Sequence, residues 1–140
     1  MSLIRSLDAA AWGRLLLAWL ALAVVMSLNG IFRELALRPT IGSRGAAVLS
    51  AVLGILLVLL VTRALFPPLA SQGTASLVLV SFLLVVLTVA FETTLGRMLD
   101  HKSWQALLEH YALWRGELWP IVLSVVALTP FVWGRWWPKG

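Results

Sequence analysis

The chain has no cysteine, so disulfides, thiolate metal sites and thiol nucleophiles are excluded. Charge is nearly as scarce: Asp, Glu, Lys and Arg make up 12% of the 140 residues, against 61% hydrophobic ones. A soluble domain carries about 25% charged residues. With half that, a water-soluble fold of this length could not cover its surface. The mean hydropathy of +0.95 agrees. Motifs are missing too. His101 and His110 form no H-E-x-x-H, and no G-x-S-x-G marks a nucleophile. No catalytic residue, metal site or cofactor is expected. The net charge of +5 comes from basic residues scattered singly between apolar runs, with no basic block, so nucleic acid is not expected as a partner.

What is present is a pattern of charge-free runs. Between Arg14 and Arg33 lie 18 uncharged residues, between Arg44 and Arg63 another 18, between Arg63 and Glu92 28, and between Glu117 and Arg135 17. A hydrocarbon core of about 30 Å needs roughly 20 helical residues. Each run therefore fits one span, the third once Pro67-Pro68 and Gln72-Gly73 are set aside as a linker. Lipid offers the backbone no hydrogen-bond partner, and barrel strands would alternate in polarity, which these runs do not. The expectation is an all-α membrane protein, a single domain over 1–140, with transmembrane helices at about 13–32, 45–65, 75–96 and 117–134. Short connections make neighbours antiparallel, giving an up-down-up-down bundle. No A-x-A-like cleavage site follows the first run, so it reads as an uncleaved helix rather than a signal peptide.

Helices in lipid associate through close backbone approach and a few hydrogen bonds. Ala46, Ser50 and Gly54, four residues apart, form a ladder suited to a contact seam. Pro130 should kink the last helix. Of the eight tryptophans, Trp12, Trp19, Trp119, Trp133, Trp136 and Trp137 are expected as interfacial anchors.

The linkers at 33–44 and 97–116 emerge on one side and collect most of the ionisable residues. Glu92 ends an apolar run, so its carboxylate needs a basic partner or a proton. A cluster of Arg33, Glu34, Glu92, Arg97, His101, Trp104 and Tyr111 is the candidate binding or ion-pair site. Trp104, Leu107, Leu108, Tyr111 and Trp114 recur at spacings of three and four, which predicts a short amphipathic helix over about 103–115, capped by Ser103 and lying in the interface. Lys and Arg divide five against six between the two sides, which leaves the orientation open. Small multidrug transporters are similar in size and helix count, but carry a Glu inside the first helix, where this chain has none.

Asn29-Gly30-Ile31-Phe32-Arg33-Glu34 reads N-G-x-x-R-E. Phe91-Glu92, Gly96-Arg97, Ser103-Trp104, Leu107-Leu108, Tyr111, Gly116 and Trp119-Pro120 read F-E…G-R…S-W…L-L…Y…G…W-P. Together they resemble a group of small bacterial multi-pass membrane proteins to which no activity is attached. The expectation is a multi-pass inner-membrane protein with a non-catalytic binding or accessory role at the charged end. Its partners would be membrane lipids and another membrane protein or a second copy of the chain. The alternatives are a proton-coupled transporter using Glu92 and, third, a lipid-acting enzyme.

Overall fold

The computed structural model describes residues 7–69, 72–98, 101, 103–109 and 118–137. All its regular elements are helical: α1 (Ala9–Phe32), a π-helical turn (Arg33–Leu37), α2 (Arg38–Leu65), α3 (Thr74–Met98), α4 (Trp104–Glu109), α5 (Trp119–Phe131) and a second π-helical turn (Val132–Trp136). The start of α1 is set by Asp8, whose carboxylate accepts the Ala11 N–H at 2.8 Å. Pro67-Pro68 ends α2, and Phe66, just before them, is extended at φ −64°, ψ 143°.

Two stretches, Ala9–Leu65 and Thr74–Met98, are long and apolar enough to cross a membrane, and only 28% and 22% of their most apolar windows are buried. The core helix of a soluble protein would be mostly buried. Leu16, Leu20, Val24 and Leu28 on α1, Val52, Leu56 and Leu60 on α2, and Val78, Phe82 and Val86 on α3 are all exposed. Soluble monomers rarely expose contiguous apolar area beyond a few hundred Å².

The first stretch is not one rod. Gly42 sits at φ 82°, ψ 170°, a conformation open essentially to glycine alone, and the chain reverses there. Arg14 Nη2 donates to Phe66 O at 3.1 Å and Asn29 Nδ2 to Ser50 O at 3.0 Å. A Cβ on Gly54 would lie 3.0 Å from Met26 Cε. Residue numbers rise on α1 as they fall on α2, so the two helices are antiparallel. The segment at 33–44, expected as a linker, is therefore mostly helical, and the turn is concentrated at one glycine.

The buried face of α2 is Ala46, Ser50, Gly54, Val58 and Thr62, a four-residue repeat. Such a stripe drifts round a helix by about 40° per step. Its first part faces α1 through Ser50 and Gly54, and its last part meets the turn after α5, where Trp133 Nε1 donates to Thr62 Oγ1 at 2.8 Å. One stripe thus serves two interfaces. Thr62 returns its own proton to Val58 O at 2.7 Å.

Pro130 is buried and supplies no N–H, and the helix beyond it widens to the π-helical turn, closed by Trp137 N–H on Val132 O at 2.6 Å. Trp133 is buried rather than set in an interface, and Trp19, inside α1, donates to Thr88 Oγ1 at 3.2 Å and packs edge-on to Phe91. Both lock helices together, unlike the exposed Trp136 and Trp137. The predicted interfacial helix over 103–115 is represented by α4, whose first turn Ser103 caps by accepting the Ala106 N–H at 3.1 Å. Residues 110–117 lie outside the described residues.

Candidate functional site

The reversal between α1 and α2 carries a compact polar cluster. In the π-helical turn the Arg38 N–H reaches back five residues to Arg33 O, so the backbone stays hydrogen-bonded past the end of α1. Glu34 stands in this turn and takes Arg33 Nε at 3.3 Å and Arg38 Nη1 at 2.9 Å. Arg38 also donates from Nε to Ser43 Oγ at 3.2 Å, so its guanidinium bridges the two sides of Gly42. The Arg38 hydrogen bond holds the Glu34 carboxyl below the usual glutamate range; slight burial opposes this, and Arg33 adds a second bond and charge. These side chains remain open to solvent, at 37% for Arg33, 48% for Glu34 and 57% for Arg38, and Arg44 is exposed beside them. Leu35, at 76%, is the most exposed large apolar residue among those described, and Ile31, Phe32 and Ile41 flank it, also exposed.

A second group lies where α3 hands over to α4. The Arg97 guanidinium carbon sits 4.6 Å from the Trp104 ring centroid, a cation–π contact. His101 takes a left-handed turn at φ 53°. Glu92 is half-buried on α3 and is engaged, as is Arg97. Of the expected cluster, the contacts join Arg33 to Glu34 and Arg97 to Trp104. Tyr111 lies outside the described residues, as do Asp100, Lys102, His110, Arg115 and Glu117. Among the described residues no group of three His, Cys, Asp or Glu could hold a metal ion.

The opposite end uses its arginines differently. Pro67-Pro68 cuts α2 short, which leaves Phe66 O without a helical donor. Arg14 serves Phe66 O, and Arg135 serves Gln72 O and Gly134 O. Arg63 lies over the Trp133 ring, 5.4 Å from its centroid. Gly134 is pressed against Leu77 and Leu69, where an added Cβ would come within 3.2–3.3 Å. An open hollow of about 440 Å³ beside Leu7, Asp8, Arg14 and Pro68 lies here, but Asp8 is committed to its helix cap and Arg14 to Phe66.

Reading the sequence placed Arg33 and Glu34 in the cluster but left Arg38 in a linker. The i,i+4 spacing of Glu34 and Arg38 was the available signal. Asn29 stands out in the sequence only as part of a motif, whereas it is the buried donor that ties α1 to α2. Ser43 gave no signal, because its contact exists only once Gly42 turns the chain. Comparison with protein-family models, curated proteins and solved structures found no match.

Proposed function

We propose that the chain is a multi-pass protein of a bacterial inner membrane, with four spans in an up-down-up-down bundle, and that its role is non-catalytic: it holds a lipid headgroup or a partner membrane protein at the end bearing Arg33, Arg38 and Arg44. The observation that carries this reading is the outward turn of that end. Among the described residues Arg33 and Arg38 pair with the side chains of Glu34 and Ser43, and Arg38 and Arg44 are exposed. An arginine fork has five N–H donors, so Arg33 and Arg38 keep donors for an external anion. Three arginines against one glutamate leave two positive charges on 33–44.

The four-span arrangement draws support from the contacts. α1 begins and α2 ends beside one another at Arg14 and Phe66, while α3 begins and the turn after α5 arrives at Leu77 and Gly134. The lack of native cysteine makes the topology directly testable. Single cysteines at Ser43 and Gly73 should label from opposite faces of sealed vesicles; labelling from the same face overturns the arrangement. The binding role is tested by extraction in mild detergent. The Arg33, Arg38 and Arg44→Gln triple variant should keep its helical signal and lose copurifying lipid or protein relative to the natural chain. An unchanged complement of both overturns the role.

A second reading, proton-coupled transport, is favoured by the half-burial of the Glu92 carboxylate on the apolar α3. It requires proton uptake into proteoliposomes that Glu92→Gln abolishes; equal uptake by the two proteins overturns it.

A further inference from the structure

Resting on the binding role above, we infer that the occupant of the Arg33–Arg44 corner is the phosphate of an anionic phospholipid, with the exposed Phe32, Leu35 and Ile41 set among its acyl chains. Two properties of the corner select this partner over an acidic soluble protein. The first is net positive charge carried by arginine, whose planar fork matches phosphate geometry and is weakly hydrated. The second is the apolar neighbourhood. Leu35 is 76% exposed between Arg33 and Arg38, and Ile41 is 47% exposed between Arg38 and Arg44. A headgroup region supplies phosphate anions and hydrocarbon within a few ångströms of each other, so both kinds of side chain are satisfied together. An acidic protein surface would answer the arginines and leave Leu35 in water.

The corner is also built to present these groups. Backbone hydrogen bonding runs on through the π-helical turn, so the arginine side chains are not recruited to carbonyls as they are at the other end. Glu34 does not cancel the charge: it stands against two guanidiniums, and its bonds to them hold Arg33 and Arg38 in fixed positions. Arg38 further ties this geometry to Ser43 beyond Gly42. The anion would therefore meet a preformed arrangement, which reduces the ordering cost of binding.

The test measures the relative association of spin-labelled phosphatidylglycerol and phosphatidylcholine with the full chain in vesicles. The natural chain should prefer phosphatidylglycerol, and each arginine near an anionic surface contributes about fivefold. Arg44→Gln should lower the preference by about that factor, and the Arg33, Arg38 and Arg44→Gln triple variant by about that factor for each arginine removed. Rising salt should weaken the preference of the unaltered chain, a readout that needs no variant. Equal association of the two lipids with the natural chain, or a preference that the triple variant leaves intact whatever its response to salt, overturns the inference. If the triple variant loses a copurifying protein while the natural chain shows no lipid preference, the binding role stands and the lipid assignment falls.

Discussion

The two ends of the molecule use the same residue for opposite purposes. At one end Arg14 and Arg135 donate to backbone carbonyls, and Arg63 covers the buried Trp133. At the other, Arg33 and Arg38 are held by the side chains of Glu34 and Ser43 and not by carbonyls; exposure does not separate the ends, since Arg14, Arg63, Arg135, Arg38 and Arg44 are all exposed. The difference lies in the backbone. Phe66 O, at the Pro67-Pro68 break, accepts from Arg14, and Gln72 O in the connection that follows and Gly134 O in the last turn accept from Arg135. Where helical bonding continues from α1 through the π-helical turn to Gly42, the carbonyls are already served. An arginine near a helix end in a membrane protein therefore cannot be assigned to lipid by position alone, because whether the helix stops or continues decides what it binds.

If the end bearing Arg14, Arg63 and Arg135, whose arginines turn inward onto carbonyls and Trp133, is structural, this inward end should be more sensitive than the outward one at Arg33–Arg44. The largest loss is expected for Trp133→Ala, which removes a buried ring together with its bond to Thr62 and should cost about 3 kcal/mol or more. Trp136→Ala and Trp137→Ala, at exposed positions, should stay within about 0.5 kcal/mol. Unfolding in denaturing detergent, followed by circular dichroism, measures all three. Equal losses would erase the distinction between locking and anchoring tryptophans.

The outward end should have one structural weak point. Gly42→Ala meets no atom within 4 Å, so its cost is conformational alone. Placing a Cβ at φ 82°, ψ 170° should cost about 1–3 kcal/mol. Gly73→Ala is the control, since it also meets open space and carries no positive φ. A Gly42→Ala protein as stable as the Gly73→Ala control would mean that the reversal does not depend on this residue.

How much of this was legible in the sequence follows from which constraint each feature answers to. The helical runs were readable because hydrocarbon excludes charge and demands internal backbone bonds. The Ala46, Ser50 and Gly54 ladder was readable because small residues at four-residue spacing share a face. Its continuation through Val58 to Thr62 was not, since valine is not small and the stripe has by then turned toward another helix. Six of the eight tryptophans are expected as interfacial anchors, although depth decides the role of each. Trp133 and Trp19 find hydroxyl partners on neighbouring helices, and nothing local in the sequence names Thr62 or Thr88 as those partners. The same holds for the charged end. Arg33 and Glu34 stand out by composition, but the Arg38 to Ser43 bond requires the turn at Gly42 first.

Between the two ends, the α1–α2 seam rests on the Asn29 to Ser50 O hydrogen bond. Asn29→Ala should cost about 0.6 kcal/mol, the average for interhelical hydrogen bonds in bilayers, and at most about 1.7, because the separated helices find other partners. The same unfolding assay checks it. A cost matching that of Trp133→Ala would place the main lock of the fold in this seam rather than at the inward end.

The smallest effect belongs to Glu34, and its sign is fixed by its surroundings. Its exposed pairs should contribute between about 0.2 and 1 kcal/mol, so Glu34→Gln should be slightly less stable than the natural chain at neutral pH. The Arg38 bond lowers the folded-state pKa beneath the ordinary value of 4.5. The unfolded chain therefore binds the proton more readily. The stabilisation is fully present above the ordinary value and is lost as the pH falls through the folded one. The gap in melting temperature between the natural chain and Glu34→Gln should hold steady around neutral pH and close in strong acid. A gap that persisted there would show that the carboxylate charge does not hold the turn, and that the outward end keeps its shape through Gly42 and the backbone alone.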